Sequence, residues 1–462
     1  MSSASDLLAP GVRRMRPDDH FMVLSETDAS PMHVGALLML EVPQAQKAGL
    51  AAAFRRQLAE RLPATPLLVR LFQSPEGFDS DVWVDVAGAD LDRLVMAEDM
   101  PLADDAALYA AVAERNMIRL DLTSPPFLAY VFTGLRDDRA AIYFKMHHCV
   151  ADGIGFQEVL RLLSDEAPPV PPRTADATLP GEDEWRRIAE ARFAAEEGLR
   201  GAQSATRKQA LAALEPLAGE RAATPALDLG GATSNRRSYT TVSIPLEPFK
   251  AVAGRLGATV NDLFLACASH GLHDVLASES ALPAEPLVVN TARSYRRAEH
   301  GSFGNRIVAM HPHLATNLSD PIARLHAIQA SMRSEMRRTA YDEALLDALE
   351  KPFGARDRRA TFARLHGSGG RVLPGNVTLS NVPGPAAERR FMGWRQLHNF
   401  PVPIIGSGRF ANITSRRSGA NLDMGVITDA AKIAEARAIA RGFEEGFAQY
   451  AALGNNQTSI ED

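Results

Sequence analysis

Tyr143-Phe144-Lys145-Met146-His147-His148-Cys149-Val150-Ala151-Asp152-Gly153 runs from an apolar strand into two histidines, three small residues and an Asp-Gly step. Gly153 and Gly155 then lead into a helix carrying Val159, Leu160, Leu162 and Leu163. A strand end is rigid and opens at the edge of a sheet, which suits holding one imidazole at the mouth of a cleft. Asp152, four residues beyond His148, can fold back and fix the ring or nearby backbone by hydrogen bonding. Gly153 lets the chain turn sharply without a Cβ penalty. A neutral histidine so placed can take a proton from an alcohol or thiol near pH 7, typically for about 10²–10⁴-fold acceleration.

Plainer readings of the same residues stand beside this one. Adjacent histidines at a strand end also occur as a solvated or hydrogen-bonded pair. A metal set of His147, His148 and Asp152 would need distortion, because consecutive strand residues point to opposite faces. Cys149 has apolar neighbours and no charge to depress its pKa, and reads as an inert packed thiol.

Working outward, residues 127–135 and 140–146 are predicted strands, with Arg136-Asp137-Asp138-Arg139 turning the chain between them as a hairpin. Upstream, residues 17–28 form a predicted short helix with Pro17 in its first turn and two acids after it. Residues 32–42 (MHVGALLMLEV) are a predicted buried strand. Residues 44–62 follow as a helix with Leu50, Phe54 and Leu58 at four-residue spacing. Downstream, the Pro-rich residues 167–184 cannot continue a helix or a central strand and read as a linker. An Ala/Glu/Arg-rich helix over 185–214 comes next, with weak points at Gly198 and Gly201 and a stop at Pro216. Residues 219–235 are loop-like, and a second α/β unit begins near Arg236. No repeat of fixed period interrupts this order.

A chain of 462 residues fits two domains of roughly two hundred residues each. Hydrophobic residues at 46% and charged residues at 23% exclude a disordered or fibrous chain. A formal net charge of −6 gives no basic field for a nucleic-acid backbone. Two cysteines, Cys149 and Cys267, are too few for a disulfide framework and fit a reducing compartment. The first residues hold no apolar stretch long enough for a signal peptide. No apolar run reaches the roughly eighteen residues that span a bilayer. G-x-S-x-G and G-x-x-x-x-G-K are both missing, so a hydrolase nucleophile elbow and a nucleotide hydrolase lack candidates.

His147-His148-Cys149-Val150-Ala151-Asp152-Gly153 matches the HHxxxDG signature of the coenzyme A-dependent acyltransferase superfamily, which includes chloramphenicol acetyltransferase, condensation domains and carnitine acyltransferases. Pro31-Met32-His33-Val34-Gly35 resembles the PMHVG segment of the bacterial wax ester synthase/diacylglycerol acyltransferase family. Val260-Asn261-Asp262 resembles its ND motif, and Ser380-Asn381-Val382-Pro383-Gly384-Pro385 its SNVPGP motif. Gly304-Asn305-Arg306 stands where that family carries a GN element. The motifs come in the family's order over nearly the whole chain. Two stretches depart from it. Pro125-Pro126-Phe127-Leu128 replaces the usual Pro-Leu-Trp, which bears on the shape of the substrate channel, and Asn290-Thr291-Ala292-Arg293 replaces a more Val/Ser-rich stretch ending in Arg.

The resemblance implies an α/β (α+β) fold of two chloramphenicol acetyltransferase-like domains with mixed sheets, arranged pseudo-twofold around a substrate tunnel. Residues 1–166 would be the first domain, 167–235 a linker and crossover helix, and 236–462 the second. It implies an O-acyltransferase moving a long-chain acyl group from acyl-coenzyme A to a fatty alcohol or to diacylglycerol. His148 would be the general base, with no acyl-enzyme; Asp152 would hold the loop and the ring, and His147 would support packing. Gly153, Asn261, Asp262, Ser380, Asn381 and Arg293 would lie on the substrate side. Ser380 and Asn381 are the candidate oxyanion donors, a contribution often worth about 3 kcal/mol per donor. Acyl-coenzyme A is a co-substrate, and no resident cofactor or metal is expected. The implied location is cytoplasmic, with peripheral attachment to the inner membrane or lipid inclusions. Basic clusters at Arg13, Arg14 and Arg16, at Arg333, Arg337 and Arg338, and at Arg358 and Arg359 could touch anionic headgroups. A carrier-protein-dependent condensation or polyketide-associated acyltransferase, and a non-catalytic lipid-binding relative, are the other readings.

The secondary motifs also have structural readings. Thr259 to Asp262 has the spacing of a capping box. Ser380-Asn381 before Pro383-Gly384 is also a strand end entering a turn. Arg293 either pairs with Asp152 across the interdomain seam or faces solvent. His33 reads as core or channel lining, and His311 and His313 as an exposed strand face.

Overall fold

The computed structural model describes residues 7–458 apart from 76, 100, 102–103, 219–222, 231, 341–357 and 367–373. The first half runs β1 (Leu7–Ala9), β2 (Val12–Arg14), α1 (Pro17–Leu24), β3 (His33–Glu41), α2 (Leu50–Arg61), β4 (Val69–Phe72), β5 (Val82–Asp85), α3 (Leu91–Leu94), β6 (Val95–Glu98) and α4 (Asp105–Asn116). β7 (Phe127–Phe132), β8 (Arg139–His147), α5 (Gly153–Leu163) and the long α6 (Glu182–Ala218) follow. The second half holds β9 (Arg237–Pro245), α7 (Leu246–Arg255), α8 (Val260–Ser278), β10 (Val289–Ser294), β11 (Ile307–Met310) and α9 (Pro321–Arg338). It ends with α10 (Arg358–His366), β12 (Val377–Val382), β13 (Arg390–Phe391), β14 (Trp394–Val402), β15 (Ala411–Ser418), β16 (Asn421–Asp429) and α11 (Ala436–Thr458).

Two six-stranded mixed sheets organise the molecule, in the orders β13-β14-β3-β8-β7-β6 and β11-β10-β12-β15-β16-β9. β3 is apolar on both sides because both sides are covered. Ala36, Leu38 and Leu40 face a cluster with Phe54, Leu58, Phe156 and Leu160 from α2 and α5. Leu37 and Met39 face another with Val112, Tyr239 and Ile427, so this cluster already joins the two sheets. The expected hairpin forms: β7 and β8 pair antiparallel with Phe127 opposite Met146. Asp137 takes positive φ in its turn, a conformation that Asp tolerates better than most residues. The Lys47 ammonium donates to the Leu135 and Asp137 carbonyls and ties the turn to the segment before α2.

Some elements differ from expectation. The helix predicted over 17–28 stops at Leu24, and Thr27 and Ser30 form an isolated bridge instead. The segment 44–62 divides into a 3-10 turn, Gln44–Gly49, and α2. α6 starts at Glu182 with three acids in its first turn, and it runs on through Gly198, Gly201 and Pro216 to Ala218. A small third sheet, β1-β2-β5-β4, went unpredicted because its strands are three or four residues long. It packs Leu8, Val12, Val82 and Val84 against Trp185, Ala189 and Phe193 at the start of α6. His311 is buried and His313 half-buried; the loop after β11 folds against α9, where the His311 N–H donates to Glu335 and the His313 N–H to Ser331.

β14 matters most for the site. It belongs to the expected second unit, yet it pairs antiparallel with β3 of the first sheet, Gln396 opposite Leu40 and Val402 opposite Gly35. The Tyr239 hydroxyl, from β9 in the other sheet, donates to the Pro401 carbonyl at 2.9 Å. β14 thus draws the two sheets together beside the strand that flanks β8.

Candidate active site

β8 ends at His147, opposite His33 at the start of β3. The His147 N–H donates to the Pro126 carbonyl at 3.0 Å, and the His148 N–H to the Met32 carbonyl at 2.8 Å. The segments before β7 and β3 therefore grip the two histidines from either side. In the Pro125-Pro126-Phe127 departure, Phe127 is buried and stacks on Phe144 with ring centroids 5.7 Å apart, so this residue serves the core of the first sheet.

The His147 ring is fully buried. Its Nδ1 accepts the Cys149 N–H at 3.2 Å, and its Nε2 lies 3.6 Å from Glu26 Oε1. Glu26 also accepts the Met32 N–H and pairs with Arg119 at 2.7 Å. Burial pushes this carboxyl up, but His147, Arg119 and the Met32 amide outweigh it and hold it down at about 2. His148, by contrast, is half-buried, with an Nδ1 that is sealed and has no hydrogen-bond partner among the described residues. Burial lowers its pKa below 6.5 against the pull of the Asp152 charge, which keeps the ring neutral near pH 7. Burial raises the Cys149 thiol well above its usual range and leaves it protonated.

Asp152 is the N-cap of α5. Its Oδ1 accepts the Gly155 N–H at 3.0 Å, and its Oδ2 accepts Arg296 Nη2 at 2.8 Å and the Arg306 N–H at 3.1 Å. It thus fixes the backbone and not the His148 ring, and the cation it meets is Arg296. Arg293, read either as a partner of Asp152 or as solvent-facing, does neither: it donates to the Met336 and Thr339 carbonyls at the end of α9. With both Asp152 oxygens engaged and His147 turned inward, the motif residues do not converge as a metal-ligand set. Gly155 has no room for a side chain: a Cβ there would stand 2.7 Å from the Ser302 carbonyl.

Gly304-Asn305-Arg306 is the second half of the site. The Gly304 N–H donates to the Val150 carbonyl, and Asn305 Nδ2 donates to the His148 carbonyl at 2.9 Å and to Asp19 at 2.8 Å. Asp19 is buried, which raises its carboxyl to about 6 against the opposing effects of Arg16 and Asn305. Asn305→Ala removes one neutral-to-charged bond and frees the His148 carbonyl. The expected loss is about 1.5–3 kcal/mol of stability, read as a lower urea midpoint.

β12 reaches the same place. A Gly153 Cβ would sit 3.0 Å from Val382, so the residue after Asn381 packs on the first turn of α5. Asn381 is exposed, and its Oδ1 accepts the Ser415 hydroxyl at 3.1 Å. Asn261 and Asp262 are not drawn in. The predicted capping box of α8 is present, with Asp262 accepting the Thr259 N–H at 3.0 Å and the Asp262 N–H donating to Thr259 Oγ1 at 3.1 Å. No described hydrogen bond joins either residue to the histidine turn.

Sequence reasoning missed Glu26, Asp19 and Arg296. Glu26 lies six residues before Met32, and Arg296 three after Arg293, with no local motif to mark either. A buried acid in a predicted amphipathic helix was the available signal for Asp19.

Comparisons with known proteins show the family and the fold. A family model described as the wax ester synthase/diacylglycerol acyltransferase catalytic domain matches residues 15–264. A second, the WS/DGAT C-terminal domain, matches residues 303–450. A Mycobacterium tuberculosis protein with the name probable diacylglycerol O-acyltransferase is 30% identical over 439 residues, covering 89% of this chain and 93% of its own length. The structure of a wax ester synthase/diacylglycerol acyltransferase from Marinobacter aquaeolei VT8 superposes with a TM-score of 0.69 at 22% identity, covering 96% of this chain and 99% of that one. The first condensation domain of a calcium-dependent antibiotic synthetase shares the fold at a TM-score of 0.57 and 16% identity, over 98% of this chain and 95% of that one. With the motifs in order, the histidine turn clasped from both halves and both family models matched, the chain belongs to the wax ester synthase/diacylglycerol acyltransferase family and is an acyltransferase of that type.

Proposed function

We propose that the protein transfers a long-chain acyl group from acyl-coenzyme A to the hydroxyl of a fatty alcohol or of diacylglycerol, with His148 as general base. The observation that carries this reading is a half-buried imidazole at a rigid strand end, kept neutral by burial, with Nδ1 sealed and the residue clasped by Met32 and Asn305. His148 takes the alcohol proton as the oxygen attacks the thioester carbonyl. The tetrahedral intermediate collapses, the carbon–sulfur bond breaks, and the imidazolium returns its proton to the departing thiolate. Oxyanion donors come from the β12 end, where Asn381 is exposed with its Nδ2 donors not engaged by any described residue. Asp152 and His147 act on the turn and take no proton from substrate.

The relatives are named for diacylglycerol acylation and wax ester synthesis, and a wax ester is the product of acylating a fatty alcohol. A lipid surface would be met through α9, where Met336 is 42% exposed between Arg333 and Arg337, while Arg338 of the same cluster pairs with Glu335. The other basic clusters serve inside the protein: Arg13 and Arg14 pair with Asp85 and Asp79, and Arg358 and Arg359 meet His20 and Asp81. No described helix is long and apolar enough to cross a membrane.

The test is acyl transfer from palmitoyl-coenzyme A to hexadecanol and, separately, to diacylglycerol. Ester from at least one acceptor is expected. Binding of palmitoyl-coenzyme A with no ester from either acceptor overturns the reading.

A further inference from the structure

We propose that Glu26 is a positioning residue for acyl transfer, a single buried carboxylate that fixes the turn presenting His148 from two directions at once. The inference rests on the reading of His148 as the base. Through one route, Glu26 Oε1 accepts the Met32 N–H at 3.1 Å, and the carbonyl of the same residue accepts the His148 N–H at 2.8 Å. Through the other, the carboxylate faces His147 Nε2 at 3.6 Å, while His147 Nδ1 accepts the Cys149 N–H at 3.2 Å. His148 lies between these two anchored points.

The second route sets a tautomer. Because the Cys149 N–H donates to Nδ1, that nitrogen is an acceptor and the ring proton sits on Nε2, on the side of Glu26. Without an anion there, the Nε2–H loses the one charge it faces at 3.6 Å in a fully buried place, and a proton moved to Nδ1 would oppose the Cys149 N–H. Arg119 completes the set, bridging Glu26 Oε2 at 2.7 Å and Asp28 at 2.8 Å. Glu26→Gln cannot serve every partner: with its oxygen at the Met32 N–H its NH2 faces Arg119, and turned over its NH2 faces the Met32 N–H and His147 Nε2, donor against donor either way. The side chain is nearly isosteric, so the fold is retained while the turn is no longer held.

The experiment compares wild type, Glu26→Gln and His148→Ala in transfer from palmitoyl-coenzyme A, with 15N NMR of the imidazoles as a second readout. Expected for Glu26→Gln is a fall in kcat of about tenfold or more with KM changed less than about twofold, the size that small misplacement of a reacting group produces. The 15N shifts of His147 should move from the Nε2–H pattern toward a mixture. If Glu26→Gln fails to fold, Arg119→Met carries the test, since Arg119 is half-exposed and its loss weakens the same clamp; a fall in kcat with steady KM is again expected. Unchanged kcat in a folded Glu26→Gln, or unchanged kcat in Arg119→Met where only that variant folds, overturns the inference, and so does a His147 tautomer unaffected by Glu26→Gln. Full activity in His148→Ala overturns the reading of the base instead, so the two failures are told apart.

Discussion

His148→Ala loses about 10²–10⁴-fold of the acyl-transfer rate, the range that removal of a positioned general base produces. The protein stays folded, because the ring has few ties to lose. Among the described residues its Nδ1 has no hydrogen-bond partner, and residue 148 is held through its backbone: its N–H to the Met32 carbonyl and its carbonyl to Asn305. A thermal melt close to wild type beside a collapse in kcat is the expected pair of results. Wild-type kcat/KM should hold level through pH 7 and fall only on the acid side, with a midpoint below 6.5. Burial favours the neutral ring, so protonation, which disables the base, needs a lower pH than for a free imidazole. A variant that keeps its rate, or an acid limb centred above pH 7, would remove His148 from the chemistry.

Asp152→Ala fails in a different way. It strips the N-cap from α5, unpairs the Arg306 N–H and leaves the Arg296 guanidinium buried beside an apolar methyl. Breaking a buried ion pair by removing one partner costs about 3–5 kcal/mol, and the lost cap falls within the same order. The measurement is the urea midpoint, with activity tracking the folded fraction. Asp152→Asn keeps an acceptor for the Gly155 N–H but not the charge, and should fall between the two. Asp152→Ala melting like wild type with kcat abolished would show that the carboxylate acts in the chemistry after all.

Local information was legible in the sequence. The apolar run of β3, the β7–β8 hairpin and the Thr259–Asp262 box each depend on neighbours within a few residues, and each formed as expected. The histidine motif was also legible as a strand end running into a capped helix. Long-range pairings were not. Arg296 meets Asp152 across 144 residues, and nothing in the sequence distinguishes it from Arg293, which satisfies helix-end carbonyls instead. Glu26 gains its role only once β3 lies beside β8, and β14 carries Pro401 and gives no sign that it will leave its own unit for the first sheet.

That stray strand also sets what the two halves can do relative to one another. A clamshell that swung its halves apart would have to tear β14 from β3 along six residue pairings, interrupted by a bulge at Leu397, and pull Pro401 off the Tyr239 hydroxyl. The two sheets are therefore laced into one body, and the histidine turn stays beside the loops that hold it.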